Sequence, residues 1–74
     1  MTVRKVDARG NMCPQPIMET ARAVKAAASG DIIIVEATDI GFYNDIEAWC
    51  RKTENIQVSL EKKLNVYVAT IKKV

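Results

Sequence analysis

"DIIIVEAT", residues 31–38, sets four consecutive β-branched apolar residues, Ile32 to Val35, between polar ends. A run this short and this apolar on both faces reads as a strand buried in the middle of a sheet. It offers Ile33 and Val35 to one side and Ile32 and Ile34 to the other, so one face packs on a core and the second needs some other cover. Upstream, Gly30 suits the end of a helix that starts at Pro14 and carries Ile17, Ala21, Val24 and Ala28 on one stripe. Glu19 early and Lys25 late match the dipole of that helix. Before it, Thr2 to Ala8 is a strand candidate with Val6 and Ala8 on one side, ending at the turn Arg9-Gly10-Asn11.

Downstream of the central strand two helix starts compete. Asn44 with Glu47 forms a capping box, whereas a start at Asp39 brings Phe42 onto one stripe with Ile46, Trp49, Cys50 and Thr53. The Asp39 start is preferred. Ile56, Val58 and Leu60 then alternate with Gln57, Ser59 and Glu61 as a strand, a turn falls at Lys62 to Asn65, and Val66 to Lys73 returns as a last strand that could bury either face. The order is β-α-β-α-β-β. Right-handed crossovers put both helices on one face of a four-stranded mixed sheet, an α/β (α+β) two-layer sandwich.

The 74 residues make a single small domain, near the size at which one core barely suffices. An apolar fraction of 49% and a charged fraction of 27% are those of a folded chain rather than a disordered one. The apolar run Ile32 to Val35 is far too short to span a bilayer, and the first residues carry no apolar signal core, so a cytoplasmic chain is expected. In that compartment the two cysteines, Cys13 and Cys50, stay reduced. A net charge of +2 neither requires nor excludes an acidic partner.

The chemistry-bearing stretch is "NMCPQPIME", residues 11–19. With Cys13 as N-cap, Pro14 is the first helical residue and Pro16 the third, positions where a missing N–H costs little. The amides of Gln15 and Ile17 are then free and point toward the sulfur, at a helix end carrying about half a positive charge. A thiolate is favoured there, and the Cys13 pKa is expected below the free value of about 8.5. The competing reading makes Cys13 a small buried hydrophobe and leaves the prolines to fix the helix entry. The chain has no histidine, so no cysteine–histidine dyad can form within it. Pro16 stands where a C-x-x-C motif would carry its second thiol, which removes a thioredoxin-like cycle. A reactive thiol with neither base nor resolving neighbour suits the carriage of a group better than turnover of a substrate.

The run "DARGNMCPQPIM", Asp7 to Met18, resembles the signature of the TusA (SirA-like) sulfur carriers, in which an acidic residue and a glycine precede Cys-Pro-x-Pro at the start of the first helix. The resemblance continues through Gly30-Asp31, Thr38-Asp39 and the order of elements, and so covers nearly the whole chain. It implies that Cys13 accepts sulfane sulfur as a persulfide, with Pro14 and Pro16 supporting the loop. It also implies a protein donor such as a cysteine desulfurase or rhodanese, and an acceptor protein. The stretch "IGFYNDIEAWC", residues 40–50, differs from the tRNA-thiolating members and looks more like TusA-like proteins associated with rhodanese or DsrE-type sulfur enzymes. On this reading the chain is a carrier and not a self-sufficient catalyst.

Other residues give weaker signals. Cys50 sits at helical spacing from Ile46 and reads as core. Lys62, Lys63, Lys72 and Lys73 read as solvated charges at a turn and a terminus, and Arg22 and Lys25 as an exposed helix face that could guide a partner. Metal-ligand spacing and a glycine-rich phosphate loop are both missing, so neither a metal nor a nucleotide cofactor is expected. Two rival functions remain open: a nucleic-acid module, disfavoured by the low charge and few aromatics, and a regulatory or assembly module working through the outer sheet face.

Overall fold

The structure, a computed structural model, describes residues 2–74, with the backbone alone for Ile56 and Gln57. Its elements follow the expected order: β1 (Val3–Ala8), α1 (Gln15–Ala26), β2 (Ile32–Ala37), α2 (Phe42–Thr53), β3 (Ile56–Lys63) and β4 (Val66–Lys72). The four strands form one sheet in the order β1-β2-β4-β3. β1 runs parallel to β2, and β4 antiparallel to both β2 and β3.

The central strand settles which face is the core. Ile33, Val35 and Ala37 are fully buried, and the register sets Ile71 beside Ile33 and Ala69 beside Val35. The last strand therefore buries its Ala69 and Ile71 face, the choice that its own sequence left open. Against this surface lie Val24 and Ala27 at the end of α1, and Phe42, Ile46 and Cys50 of α2. Both helices thus share one side of the sheet. The opposite face, carrying Ile32 and Ile34, is half-buried at its centre and open at Val3.

Several local expectations shift. The buried stripe of α1 is Pro16, Thr20 and Val24, one residue out of step with the expected Ile17, Ala21, Val24 and Ala28; Ala28 is exposed. The offset is possible because Thr20 spends its hydroxyl on the carbonyl of Pro16 at 2.8 Å and so buries no unpaired polar atom. Glu19 lies beyond the first turn and bonds Gln15 and Arg22 instead of the helix end. α2 starts at neither predicted cap: Gly41 is its N-cap and no side chain caps it, while Asp39 contributes its carbonyl to the Phe42 amide. The stripe Phe42, Ile46 and Cys50 is buried as expected, with Trp49 half-buried and Thr53 exposed.

In β3 the alternation breaks. Gln57 pairs with Ile71 and Ser59 with the adjacent Thr70, so Val58 is an extra, bulged residue, 55% exposed rather than core-facing with Leu60. The side chains of Ile56 and Gln57, part of the same expected alternation, lie outside the described residues. The β3–β4 turn is shorter than expected, because pairing runs to Lys63 and Val66 and leaves only Leu64-Asn65 between them, with Leu64 at φ 55°.

The other end of the sheet is tied by Asp31. Its Oδ1 accepts the Thr2 amide at 3.1 Å and its Oδ2 the Ala28 amide at 2.9 Å, which joins β1 and the end of α1 to the start of β2. Gly30, at φ +90°, makes the left-handed turn that precedes it. Lys73, expected as a solvated charge, instead bonds the Ala27 carbonyl at 2.6 Å and closes α1. The backbone hydrogen bonds from Ala28 and Thr2, aided by the charge of Arg4, hold the Asp31 carboxyl below its ordinary value of 3.8. A carboxyl depressed in the folded state contributes stability that is complete above its unfolded value and lost as pH falls through its folded one. Wild-type protein is therefore expected to be more stable than Asp31→Asn near pH 7, with the gap in urea midpoint narrowing below about pH 4 as both become neutral at this site.

Candidate functional site

The two loops that leave the carboxyl ends of β1 and β2 lie side by side, because the strands are parallel neighbours with Ala8 opposite Ala37. The first loop turns at Gly10, φ +83°, and is fastened to the second by the Gly10 amide, which donates to Thr38 Oγ1 at 2.9 Å. Arg9 is held back on β1 by a two-pronged pairing with Asp7 at 2.8 and 3.0 Å. Those bonds, with the Arg9 amide, bring the Asp7 carboxyl down to about 2. The thiol follows at the head of α1.

Cys13 is exposed and free, and a cis peptide bond links it to Pro14. Pro14, not Cys13, is the N-cap residue, so both prolines sit one position earlier than expected and Pro16 becomes the second helical residue. Pro16 also belongs to the core, among the largest fully buried side chains, and so does more than shape a loop. The Gln15 amide is not free: it donates to the Met12 carbonyl at 2.9 Å. Ile17 packs its side chain, half-buried, against the core. The expected aim of Gln15 and Ile17 amides at the sulfur is thus replaced, at Gln15, by a backbone turn.

What faces the sulfur instead is an acid. Cys13 Sγ donates to Asp45 Oδ2 at 3.1 Å, across 32 positions of sequence. Asp45 is half-buried in the first turn of α2, where its amide bonds the Gly41 carbonyl at 3.0 Å. A Cβ on Gly41 would lie 3.2 Å from Asp39 Oδ2 and 3.6 Å from Asp45 Oδ2, so the glycine leaves both carboxylates room. The hydrogen bond to Asp45 raises the Cys13 pKa above its ordinary value, with desolvation and the charges of Asp45 and Asp39 acting in the same direction. This reverses the expected shift. The helix end lends its partial charge only to groups within its first turn, and a carboxylate in contact outweighs it.

Cys50 is 3% exposed among core residues on α2, and burial raises its pKa. Three large apolar side chains on the two loops and the first turn of α2 are exposed, Met12 at 76%, Ile40 at 82% and Tyr43 at 41%, and Tyr43 meets Tyr67 edge-on at 5.7 Å. A shallow groove of about 300 Å³ lies beside Ile40, between Thr38, Lys62, Asn65 and Tyr67. Among the described residues no cluster of three or more His, Cys, Asp or Glu could hold a metal, and no helix is long and apolar enough to cross a membrane. Native protein treated with iodoacetamide is expected to be alkylated at Cys13 alone, slowly at neutral pH, with Cys50 reacting only after denaturation; peptide mass mapping reads both sites.

Asp45 was the residue that sequence reasoning missed. Its signal was topological: parallel neighbouring strands bring the loop after β1 against the loop after β2, which places the start of α2, with Asp45, near Cys13.

The sequence model of the family described as Sulfurtransferase TusA matches residues 4–73. A candidate sulfur carrier protein of Halobacterium salinarum is 35% identical over 69 residues, covering 92% of this chain and 85% of that one. A second, of Neisseria meningitidis serogroup A, is 31% identical over 71 residues and covers 96% of both. A third, of Aquifex aeolicus, is 34% identical over 70 residues, 95% of this chain, but the match spans only 36% of that longer protein. The crystal structure of a SirA-like protein from Desulfitobacterium hafniense superposes with a TM-score of 0.80 at 21% identity, over 96% of each chain.

Proposed function

This chain belongs to the TusA sulfurtransferase family, and on that premise we propose that it is a sulfur carrier that takes sulfane sulfur as a persulfide on Cys13 and passes it to an acceptor protein. The observation that carries the reading is the contrast between its thiols: Cys13 is exposed at the head of α1 and Cys50 is sealed in the core. A group that is loaded by one protein and unloaded by another has to be reachable by both.

The chemistry is an exchange at sulfur. The Cys13 sulfur attacks the outer sulfur of a donor persulfide, the new S–S bond forms as the donor's bond breaks, and the donor leaves as a thiol that takes up the proton given up by Cys13. Unloading repeats the exchange with an acceptor thiol as the attacking group. No net oxidation occurs in either step, and no cofactor is needed beyond the transient persulfide. Cysteine desulfurases and rhodaneses are the donor classes whose own persulfides fit this step, and a DsrE-type protein is the acceptor class suggested by the run Ile40 to Cys50. Such a relay belongs in the reducing cytoplasm, where free thiols persist.

Pro14 and Pro16 support the site by starting α1 next to the thiol, and the buried ring of Pro16 fixes that start to the core. The exposed Met12, Ile40 and Tyr43 supply an apolar landing surface for a protein partner. The nucleic-acid alternative loses one of its basic groups, since Lys73 is occupied in closing α1.

Incubation with a desulfurase and cysteine, or with a rhodanese and thiosulfate, is expected to add one sulfur atom to the native protein at Cys13. Cys13→Ser abolishes the adduct. Cys50→Ser keeps it while destabilising the fold by about 1–3 kcal/mol, the cost of a buried hydroxyl without a partner. Intact and peptide mass spectrometry read the adduct, and urea unfolding reads the stability. Sulfur on Cys50, or on neither residue with both donors, overturns the reading in favour of a binding or assembly role.

A further inference from the structure

The charges that bear on Cys13 among the described residues are both negative. Asp45 bonds Sγ at 3.1 Å from α2, and Asp39 acts from the loop that leads into that helix. The arginines on the flanking elements are paired elsewhere, Arg9 with Asp7 on β1 and Arg22 with Glu19 on α1. A neutral thiol placed here gains an acceptor for its proton. An anion on the same side chain meets two carboxylates instead.

Sulfur loading changes which of these two species is present. The outer sulfur of a persulfide ionises more readily than the parent thiol, so the loaded side chain is anionic at neutral pH and its charge lies about 2 Å beyond Sγ. It has no proton to donate to Asp45. We infer that Asp45 is a positioning residue that docks the empty Cys13 thiol against α2 and repels the loaded persulfide toward solvent, biasing the carrier toward giving its sulfur away. This inference rests on the reading of Cys13 as the sulfur carrier.

The exchange Cys13–SH + R–S–SH → Cys13–S–SH + R–SH balances in atoms and electrons, and Asp45 keeps its own atoms throughout. Its effect is on the equilibrium, because it stabilises the protonated left-hand protein species and opposes the ionised form of the right-hand one. An empty carrier that is neutral and docked is also a poor target for stray electrophiles, since the thiolate is the reacting form. Gly41 allows the arrangement by leaving the carboxylates of Asp39 and Asp45 room at the start of α2.

Asp45→Asn tests both halves. An amide can donate to a sulfur anion, so the inflection of Cys13 alkylation rate against pH is expected to fall by about one unit, equivalent to about tenfold more thiolate below it. At a fixed ratio of glutathione hydropersulfide to glutathione, the loaded fraction of Cys13, read by intact mass, is expected to rise severalfold over wild type. Urea unfolding checks that the variant is folded, and Asp45→Ser serves the same comparisons if asparagine disrupts α2. A merely structural role moves neither the inflection nor the loading ratio in a folded variant. An inflection that stays in place, or a loaded fraction no higher than wild type, overturns the inference while leaving the carrier reading intact. Failure of wild type and variant alike to take up sulfur overturns the carrier reading and, with it, the loaded half of the inference.

Discussion

The fold depends on burial of one face of β2. Ile33, Val35 and Ala37 have no exposed surface, and they are covered at once by both helices and flanked on either side by β1 and β4. Removing about three apolar side chains from water at one place contributes several kcal/mol, a large share of what holds so small a domain together. The same constraint makes the site. Both helices must return over this face, so both loops that feed them leave the same edge of the sheet, and the Gly10–Thr38 hydrogen bond fastens one to the other. Cys13 and Asp45 meet because β1 and β2 are parallel neighbours.

That geometry separates the two ends of the sheet by task. At one end Asp31, Gly30 and Lys73 close backbone groups with short bonds, and every partner there is structural. At the other end the loops leave a thiol, two carboxylates and exposed apolar side chains at the surface. Ligand and partner sites in sheets with parallel strands gather at the carboxyl ends of those strands for this reason.

Much of this was legible in the sequence. "DIIIVEAT" carried the central strand, the change from period 2 to period 3.6 marked each helix, and the spacing Phe42, Ile46, Cys50 placed the second thiol inside. Cys-Pro-Gln-Pro pointed to the exposed one. The rest was hidden because it depended on distance in space or on small offsets. Val58 looked inward until the bulge removed its partner, since alternation counts residues and cannot see an unpaired one. Pro16 read as a loop support and the stripe was placed on Ile17 and Ala21, yet the bond from the Thr20 hydroxyl to the Pro16 carbonyl lets the helix bury the neighbouring edge. The nearest helix end is visible in the sequence around Cys13, whereas the charge that decides its pKa sits on the other helix, 32 positions away.

The empty Cys13 thiol is held in its neutral form by a carboxylate rather than activated by a helix end. The most direct measurement is the Cβ carbon chemical shift of Cys13 in the wild-type protein, followed by NMR as a function of pH with the Asp45 side-chain carboxyl carbon observed in the same samples. A Cys13 inflection above that of an ordinary thiol is expected, accompanied by a small step at the Asp45 carboxyl carbon at the same pH, as the shared hydrogen bond is lost. A Cys13 inflection at or below that of a free cysteine, with no response at Asp45, would contradict it.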